Sequence, residues 1–218
     1  MKKLKNKNFI ISICLLMVLQ AAIFWGIKLL QFNYHQFDFF LDYKIPLIKW
    51  TVYIYNMFYP VVFALLAYLY TKDEKKYFNA VIAGIVGYLI CDVIFLSYPT
   101  IMYGDRNVIV HNLTDLVLKI TYVADTPALN CFPSIHCLFC YQTMYSLLTS
   151  KTVNKKIKIF GSIALILIVL STLTVKQHYI FDALASIVVC FIANVITIKF
   201  NLQDKIRKLQ KKNKKKTK

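Results

Sequence analysis

The sequence predicts an all-α fold, an integral membrane bundle of six transmembrane helices, and three observations support it. First, 58% of the 218 residues are hydrophobic and 17% are charged, too few charges to cover a soluble domain of this size. Second, the charges fall in short clusters separated by apolar runs, and about 20 apolar residues span the roughly 30 Å of a bilayer core. Third, the clusters alternate between rich and poor in lysine and arginine, which indicates alternating sides of a membrane.

Six apolar runs meet these criteria, and each is predicted to be a helix because backbone in lipid must satisfy its own hydrogen bonds. The first run follows Lys2, Lys3, Lys5 and Lys7. It is long and no small-x-small cleavage site closes it, so we interpret it as an uncleaved span rather than a signal peptide. The predicted spans are 9–27, 50–70, 78–97, 134–148, 159–175 and 179–198.

The distribution of lysine and arginine predicts the orientation of these spans. Four precede the first span, three lie in residues 71–77, four in residues 149–158 and ten from Lys199 onward. The alternate connections between spans carry only three, two and one. Because cytoplasmic segments are the richer ones, both termini are predicted to be cytoplasmic in the cell membrane, with residues 28–49 and 98–133 outside.

The chain is predicted to form one membrane domain, residues 1–200, followed by a basic tail, residues 201–218. The net charge is +17 and the pI is about 9.6, and the positional bias explains this charge without nucleic acid. The tail is rich in lysine and has no apolar periodicity after Lys205, so we expect it to be disordered in the cytoplasm and to contact anionic lipid. The expected partners are membrane lipids, and the oligomeric state stays open.

Two outer segments are not predicted to span. Residues 31–47 are rich in aromatic side chains, which is typical of the headgroup level, and Asp38 and Asp42 are expected to be solvent-exposed. In the long outer loop, apolar residues recur at helical spacing over residues 109–120. This pattern predicts a short amphipathic helix on the outer surface.

Polar residues before the fourth predicted span form a first candidate cluster, Asn-Cys-Phe-Pro-Ser-Ile-His at residues 130–136. Proline is favoured in the first turn of a helix, so Pro133 is predicted to start this one. The unpaired N–H groups of that turn and the helix dipole favour an anion, and the Ser134 hydroxyl adds a donor. His136 lies in the same turn and can deliver a proton to a bound anion.

A second cluster precedes the last predicted span, at residues 176–182. His178 and Asp182 are four residues apart, so on a helix they share one face. The carboxylate can accept from one ring nitrogen and leave the other as a nucleophile, which is the orienting logic of a catalytic triad. Lys176 adds a cation beside them.

A third cluster follows the third predicted span, where Tyr-Pro-Thr at residues 98–100 precedes Arg106. A guanidinium can bind a phosphate through two parallel hydrogen bonds. Asp92, late in that span, is expected to pair with Arg106 or Lys176, or to cap a helix. Charges cost about 2.5–3.5 kcal/mol at the centre of a membrane helix, so several at the same helix ends indicate a site.

A zinc site is not predicted, although Cys137 and Cys140 lie beside His136. No second pair of cysteines or histidines completes the tetrahedral set that zinc requires. Whether Cys131 and Cys137 form a disulfide stays open.

The order and spelling of the three clusters resemble the type 2 phosphatidic acid phosphatase superfamily of membrane lipid phosphatases. The resemblance rests on Tyr-Pro-Thr followed by Arg, on Phe-Pro-Ser-x-His and on Ser-x6-His-x3-Asp, within residues 98–106, 130–136 and 171–182. The second and third motifs are specific together, whereas the first is loose. The six-span layout extends the resemblance to most of the chain.

The resemblance implies a hydrolase that acts on a lipid phosphate without a metal or a cofactor. His178 would attack phosphorus to form a phosphohistidine, and Asp182 would orient it. His136 would protonate the leaving alcohol and then activate water. The phosphoryl oxygens would be held by backbone amides and by Arg106, Ser134 and Lys176.

The chain departs from the family pattern in its cations. The family has a lysine seven residues before its arginine, where this chain has Pro99, and an arginine after the serine of its third motif, where this chain has Thr172. The spelling Pro-Ser-Ile-His with Lys-Gln-His-Tyr is closer to the branch that includes inositol phosphorylceramide synthases. That branch transfers phosphoryl head groups to an alcohol.

Three functions therefore compete. The main prediction is a membrane phosphatase that hydrolyses phosphatidic acid, phosphatidylglycerophosphate or a polyprenyl diphosphate at the outer face. One alternative is a lipid phosphotransferase that moves a phosphoryl head group to an alcohol acceptor. The other is a non-catalytic membrane protein or small transporter, in which the His/Asp pair only binds or packs.

Overall fold

The structure is a computed structural model that describes residue 18 and residues 21–30, 33–102, 104 and 106–206. These residues are all-helical in architecture and contain no β-strand. Two isolated bridges are present among them, between His35 and Thr100 and between Ile101 and Leu129. The predicted all-α class is therefore confirmed for the described part of the chain.

The helices follow the order of the predicted apolar runs, with an additional short helix in the long loop after the third run. In chain order they are α1 (residues 21–29), a 3-10 turn (Lys49–Thr51), α2 (Val52–Asn56), α3 (Phe58–Lys72), α4 (Glu74–Ser97), α5 (Leu113–Ala124), α6 (Ile135–Thr149), α7 (Lys155–Thr174), α8 (Ile180–Lys199) and a last turn over residues 202–206.

Side-chain caps explain where several of these helices begin. The side chain of Asp73 accepts from the Lys76 amide at the start of α4, and that of Asn154 accepts from the Lys156 amide at the start of α7. Asn112 likewise caps α5. This cap places the predicted amphipathic helix at Leu113–Ala124, a few residues later than its apolar periodicity indicated.

Four segments of the described chain are long and apolar enough to cross a membrane. They correspond to the second, third, fifth and sixth predicted spans. Their bounds are Lys49–Lys72, Glu74–Ser97, Lys155–Thr174 and Ile180–Lys199. Large apolar side chains are also exposed on the outward faces of α7 and α8, such as Phe160, Leu167, Ile187 and Phe191. An apolar exterior on apolar helices indicates a membrane protein.

The count of six spans is not confirmed. Most of the predicted first span, 9–27, lies outside the described residues, and its described end is helical from residue 21. The predicted span 134–148 corresponds to α6, which has the same length of 15 residues. Its rise of about 22 Å is shorter than the roughly 30 Å of a bilayer core.

The helix α6 lies at the centre of the bundle, in contact with α3, α4, α7 and α8. Two glycines of α4 allow it to approach closely. A Cβ at Gly84 would lie 2.8 Å from the Phe139 ring, and a Cβ at Gly87 would lie 3.1 Å from Leu138. Because protein rather than lipid surrounds α6, this helix can carry polar side chains at depth.

Those polar side chains join three helices through amide hydrogen bonds. Asn194 of α8 donates to Gln142 of α6 at 2.6 Å, and Gln142 donates back at 3.2 Å. Asn79 of α4 donates to Asn194 at 2.9 Å. All three residues are buried, so the network satisfies polar groups that would otherwise be costly inside an apolar bundle.

Candidate active site

The start of α8 positions His178 and Asp182. Asp182 occupies the first turn of the helix, and its Oδ2 accepts from the Tyr179 amide at 2.8 Å. The same oxygen lies 3.2 Å from Nδ1 of His178. Asp182 is 1% exposed, so this carboxylate is shielded from water. When Nδ1 carries the proton, the other ring nitrogen of His178 keeps its lone pair.

The turn between α7 and α8 presents His178 to the interior of the bundle. Lys176 adopts a positive φ of 54°, and the amides of Gln177 and His178 both donate to the carbonyl of Thr172. The Tyr122 hydroxyl of α5 donates to the carbonyl of Val175 at 3.0 Å. The turn is therefore attached both to α7 and to α5.

His136 lies in the first turn of α6, among aromatic side chains of α2 and α3. Its ring centroid is 5.8 Å from that of His178 and 4.6 Å from that of Phe58. The Tyr55 hydroxyl is 3.2 Å from Nε2 of His136. Tyr55 was not predicted as a site residue, because nothing near it in the chain marks it as a partner of His136.

Two hydrogen bonds to backbone carbonyls connect the starts of α6 and α8. The Ser134 amide donates to the carbonyl of Asp182 at 3.1 Å, and the Ser186 hydroxyl donates to the carbonyl of Ser134 at 2.8 Å. These contacts fix the relative positions of the two histidines. The predicted neighbourhood of His136, His178 and Asp182 is therefore present in the structure.

The first motif supports the second through Thr100. Its hydroxyl oxygen accepts from the amides of Cys131 and Phe132, at 3.1 and 3.2 Å, and its carbonyl accepts from the Asn130 amide at 2.7 Å. Ser134 is the N-cap of α6 and accepts from the Cys137 amide at 3.2 Å. Pro133 thus precedes the cap. The prediction that Pro133 starts this helix is wrong, because α6 begins at Ile135.

Arg106 belongs to a cluster of three charges. Its Nη1 lies 3.8 Å from Oδ2 of Asp125, and Nζ of Lys28 lies 3.6 Å from Oδ1 of the same carboxylate. Partial burial raises the pKa of the Asp125 carboxyl, and the charges of Lys28 and Arg106 oppose that rise. Lys28 was not predicted as a site residue; its only sequence signal is a single cation at the end of the first apolar run.

Two other predicted residues have different surroundings from those expected. The Lys176 ammonium donates to the backbone carbonyls of Asp42 and Ile45, so it points into the loop before α2. Asp92 is buried in α4, and within the described chain its carboxylate has no hydrogen-bond partner. The expected pairing of Asp92 with Arg106 or Lys176 is therefore not observed.

One cavity of about 710 Å³ contains both histidines, and Asp125 and Asn130 also line it. Arg106 and Lys176 are not among its lining residues. Away from the histidines the cavity continues between α3, α4 and α6 as an apolar groove, which also contacts α1. Its lining there includes Phe24, Val62, Leu66, Ala67, Tyr77, Ala80 and Ile85.

The described residues contain no group of three His, Cys, Asp or Glu side chains placed to hold a metal ion. Cys131 and Cys137 are both free and buried, so the disulfide left open by the sequence is not formed in the structure. The polar side chains that line the cavity include two histidines, the carboxylate of Asp125, the amides of Asn56 and Asn130, and several tyrosine and threonine hydroxyls. This set can perform nucleophilic and acid–base chemistry.

Comparison with known proteins gives one match. The profile described as PAP2 superfamily matches residues 28–196, a stretch that includes all three clusters and every charged residue of the site. No curated protein and no solved structure matches the chain significantly.

Proposed function

This chain belongs to the PAP2 superfamily, and we propose that it is a membrane phosphatase that hydrolyses a lipid phosphate or diphosphate through a phosphohistidine. Membership implies phosphatase-type or phosphotransferase-type activity on lipid phosphates. One observation carries the finer proposal. His178, held by Asp182 at 3.2 Å, faces His136 at a ring separation of 5.8 Å within a single cavity.

The chemistry takes two steps. In the first, the unprotonated nitrogen of His178 attacks phosphorus, the bond from phosphorus to the leaving oxygen breaks, and His136 gives that oxygen a proton. In the second, His136 takes a proton from water, the water oxygen attacks phosphorus, and the phosphorus–nitrogen bond breaks. Asp182 stabilises the imidazolium that forms at His178. No metal or cofactor enters either step.

The phosphoryl oxygens carry the charge that must be stabilised. We assign Arg106 and the start of α6 to this role, because the N–H groups of Ile135 and His136 lie in the first turn and have no helical carbonyl four residues earlier to bind. The Nη1 atom of Arg106 is buried and makes no hydrogen bond among the described residues, since its ion pair with Asp125 is 3.8 Å long, so a phosphate could supply the missing acceptor. Ser134 contributes mainly as the cap. Lys176 contributes through its carbonyl, which accepts from Arg106 at 3.4 Å.

The apolar groove supports a lipid as the substrate. From Tyr55 to Ala67 it follows α2 and α3 over about 18 Å, at 1.5 Å per residue. A molecule with a phosphate head and a hydrocarbon chain matches a polar end beside the histidines and an apolar remainder. Phosphatidic acid, phosphatidylglycerophosphate and polyprenyl diphosphates all have this form.

The topology completes the proposal. With α6 as a short central span and the first apolar run as another, the domain over residues 1–200 has six passes and the tail over residues 201–218 is cytoplasmic. The site then opens at the outer face of the cell membrane, since the segments around it are poor in lysine and arginine. A reporter fused after Lys119 should be detected outside; a cytoplasmic signal would invert this arrangement.

The decisive experiment is phosphate release from a panel of lipid phosphates by purified protein in EDTA. His178→Ala and His136→Ala should abolish release, whereas His111→Ala, at an exposed histidine of the loop before α5, should not. Adding alcohols to the same assay tests the rival function. A phosphorylated alcohol in place of free phosphate would identify a phosphotransferase. Phosphate release at the wild-type rate by both His178→Ala and His136→Ala would contradict the proposed mechanism.

A further inference from the structure

Asn130 has no role in the mechanism above, yet it lines the cavity that contains both histidines. Its backbone is held firmly. Its amide donates to the carbonyl of Thr100 at 2.7 Å, and the next two amides donate to the Thr100 hydroxyl. The backbone from which the Asn130 side chain projects is therefore held by three hydrogen bonds to Thr100.

The side-chain amide of Asn130 is buried and unpaired. The residue is 4% exposed, and within the described residues neither Nδ2 nor Oδ1 has a hydrogen-bond partner. Buried polar side chains are nearly always hydrogen-bonded, and leaving both a donor and an acceptor unpaired is costly. A ligand bound in the cavity could supply the hydrogen-bond partners that this donor and this acceptor lack.

The backbone conformation of residue 130 does not by itself explain why an asparagine side chain is present there. Asn130 has a φ of 59°, in the left-handed region that asparagine, aspartate and glycine tolerate. That conformation would be satisfied equally by glycine, which has no amide to bury. The backbone therefore accounts for a small or Asx residue but not for a buried amide beside two histidines.

The chemistry of an amide limits what can pair with it. Its NH₂ group offers two donors and its carbonyl oxygen is an acceptor. Phosphoryl oxygens of an ionised phosphate only accept, so they can pair with the NH₂ group. The carbonyl oxygen needs a donor, and the hydroxyl that receives the phosphoryl group is one.

We propose that Asn130 binds the reacting groups directly, donating from Nδ2 to a phosphoryl oxygen and accepting at Oδ1 from the hydroxyl of the acceptor, water or an alcohol. This inference rests on the proposed function and adds an acceptor-binding residue to it. In the second step the hydroxyl proton that does not contact Oδ1 passes to His136, so the balance of the reaction is unchanged. An alcohol has one hydroxyl proton, so its hydrogen bond must shift from Oδ1 to His136, and the O–H bond then breaks in favour of His136 as the alcohol oxygen attacks phosphorus.

The test compares Asn130→Gly and Asn130→Asp, both of which tolerate the observed φ. Asn201→Gly is the matched control, since Asn201 has a φ of 49° at the far end of α8 and is exposed. We expect Asn130→Gly to lower kcat/KM for phosphate release about 10- to 100-fold and to weaken inhibition by inorganic phosphate. Asn130→Asp should be worse, because a carboxylate offers no donor and repels phosphate. Thermal melting in detergent should show that all three variants are folded.

The outcomes separate the two proposals. If the wild type releases phosphate and Asn130→Gly matches it in kcat/KM and in phosphate inhibition, Asn130 is only a turn residue and the inference is wrong while the proposed function stands. Full activity in Asn130→Asp would contradict it equally. If the wild type neither releases phosphate nor is stabilised by inorganic phosphate, both proposals fail.

Discussion

Asp182 holds His178 with the same oxygen that holds the start of α8, since Oδ2 lies 3.2 Å from the imidazole Nδ1 and 2.8 Å from the Tyr179 amide. The carboxylate thus has two roles: it binds the first turn of α8 and it orients the imidazole of His178. Substitutions of Asp182 must therefore distinguish an effect on the helix from an effect on the histidine.

Asp182→Asn should lower kcat roughly 10³- to 10⁴-fold, because an amide NH₂ facing Nδ1 would favour the wrong tautomer of His178. Trapping of phosphohistidine after rapid mixing measures this directly. Asp42→Asn is the matched control: Oδ1 of Asp42 accepts from the Ile180 amide at 2.8 Å, also at the start of α8. Equal losses in both variants would show that Asp182 acts only on the helix.

Tyr55→Phe should lower kcat about fivefold with KM unchanged, as expected for one neutral hydrogen bond worth about 1 kcal/mol. The ring would still pack against His136, so only the 3.2 Å contact with Nε2 is lost. Steady-state kinetics against pH should also show an altered profile. Tyr53→Phe removes a hydroxyl from the same helix, 3.1 Å from Thr114, and should leave the kinetics unaltered.

Lys28→Met should raise KM for a lipid phosphate about tenfold, equivalent to about 1.4 kcal/mol of binding. Methionine keeps the apolar stem but removes a charge that shares Asp125 with Arg106. Lys49→Met is the control, because Lys49 forms its own ion pair with Asp115 at 2.8 Å. A similar KM for Lys28→Met and wild type would exclude Lys28 from substrate binding.

Asn194→Leu should destabilise the protein by about 1–2 kcal/mol, since it leaves Gln142 and Asn79 without their partner inside the bundle. Thermal melting in detergent measures the loss, with Val195→Leu on the exposed face of α8 as the control. Activity at low temperature should persist, because the network does not contact the histidines. An unchanged melting temperature would mean that the network contributes nothing to stability.

The parts of the site that the sequence predicts well are local. His178 and Asp182 are one helical turn apart, so periodicity alone places them together. His136 is predicted from its place at a helix start. The bundle is predicted through its apolar runs. The helix α6, with 15 residues, is shorter than a full span, and it contacts four other helices of the bundle.

Contacts between distant segments could not be predicted. Asp42 was expected in solvent, yet it is 5% exposed and caps α8, 138 residues away. The same loop takes the Lys176 ammonium that was assigned to phosphate. Tyr55 and Lys28 reach the site from elements that carry no chemical motif of their own. Asn130 belongs to the predicted cluster at residues 130–136, but the burial of its unpaired amide could not be predicted.

The sequence by itself determined the helical class, the apolar segments and the residues of the His178–Asp182 pair, because period and composition act over one or two turns. Only the tertiary structure decided which amides and cations surround that pair. The reason is physical: the starts of α6 and α8 are joined by hydrogen bonds from the Ser134 amide and the Ser186 hydroxyl to backbone carbonyls, and the partners in such bonds depend on how distant segments pack.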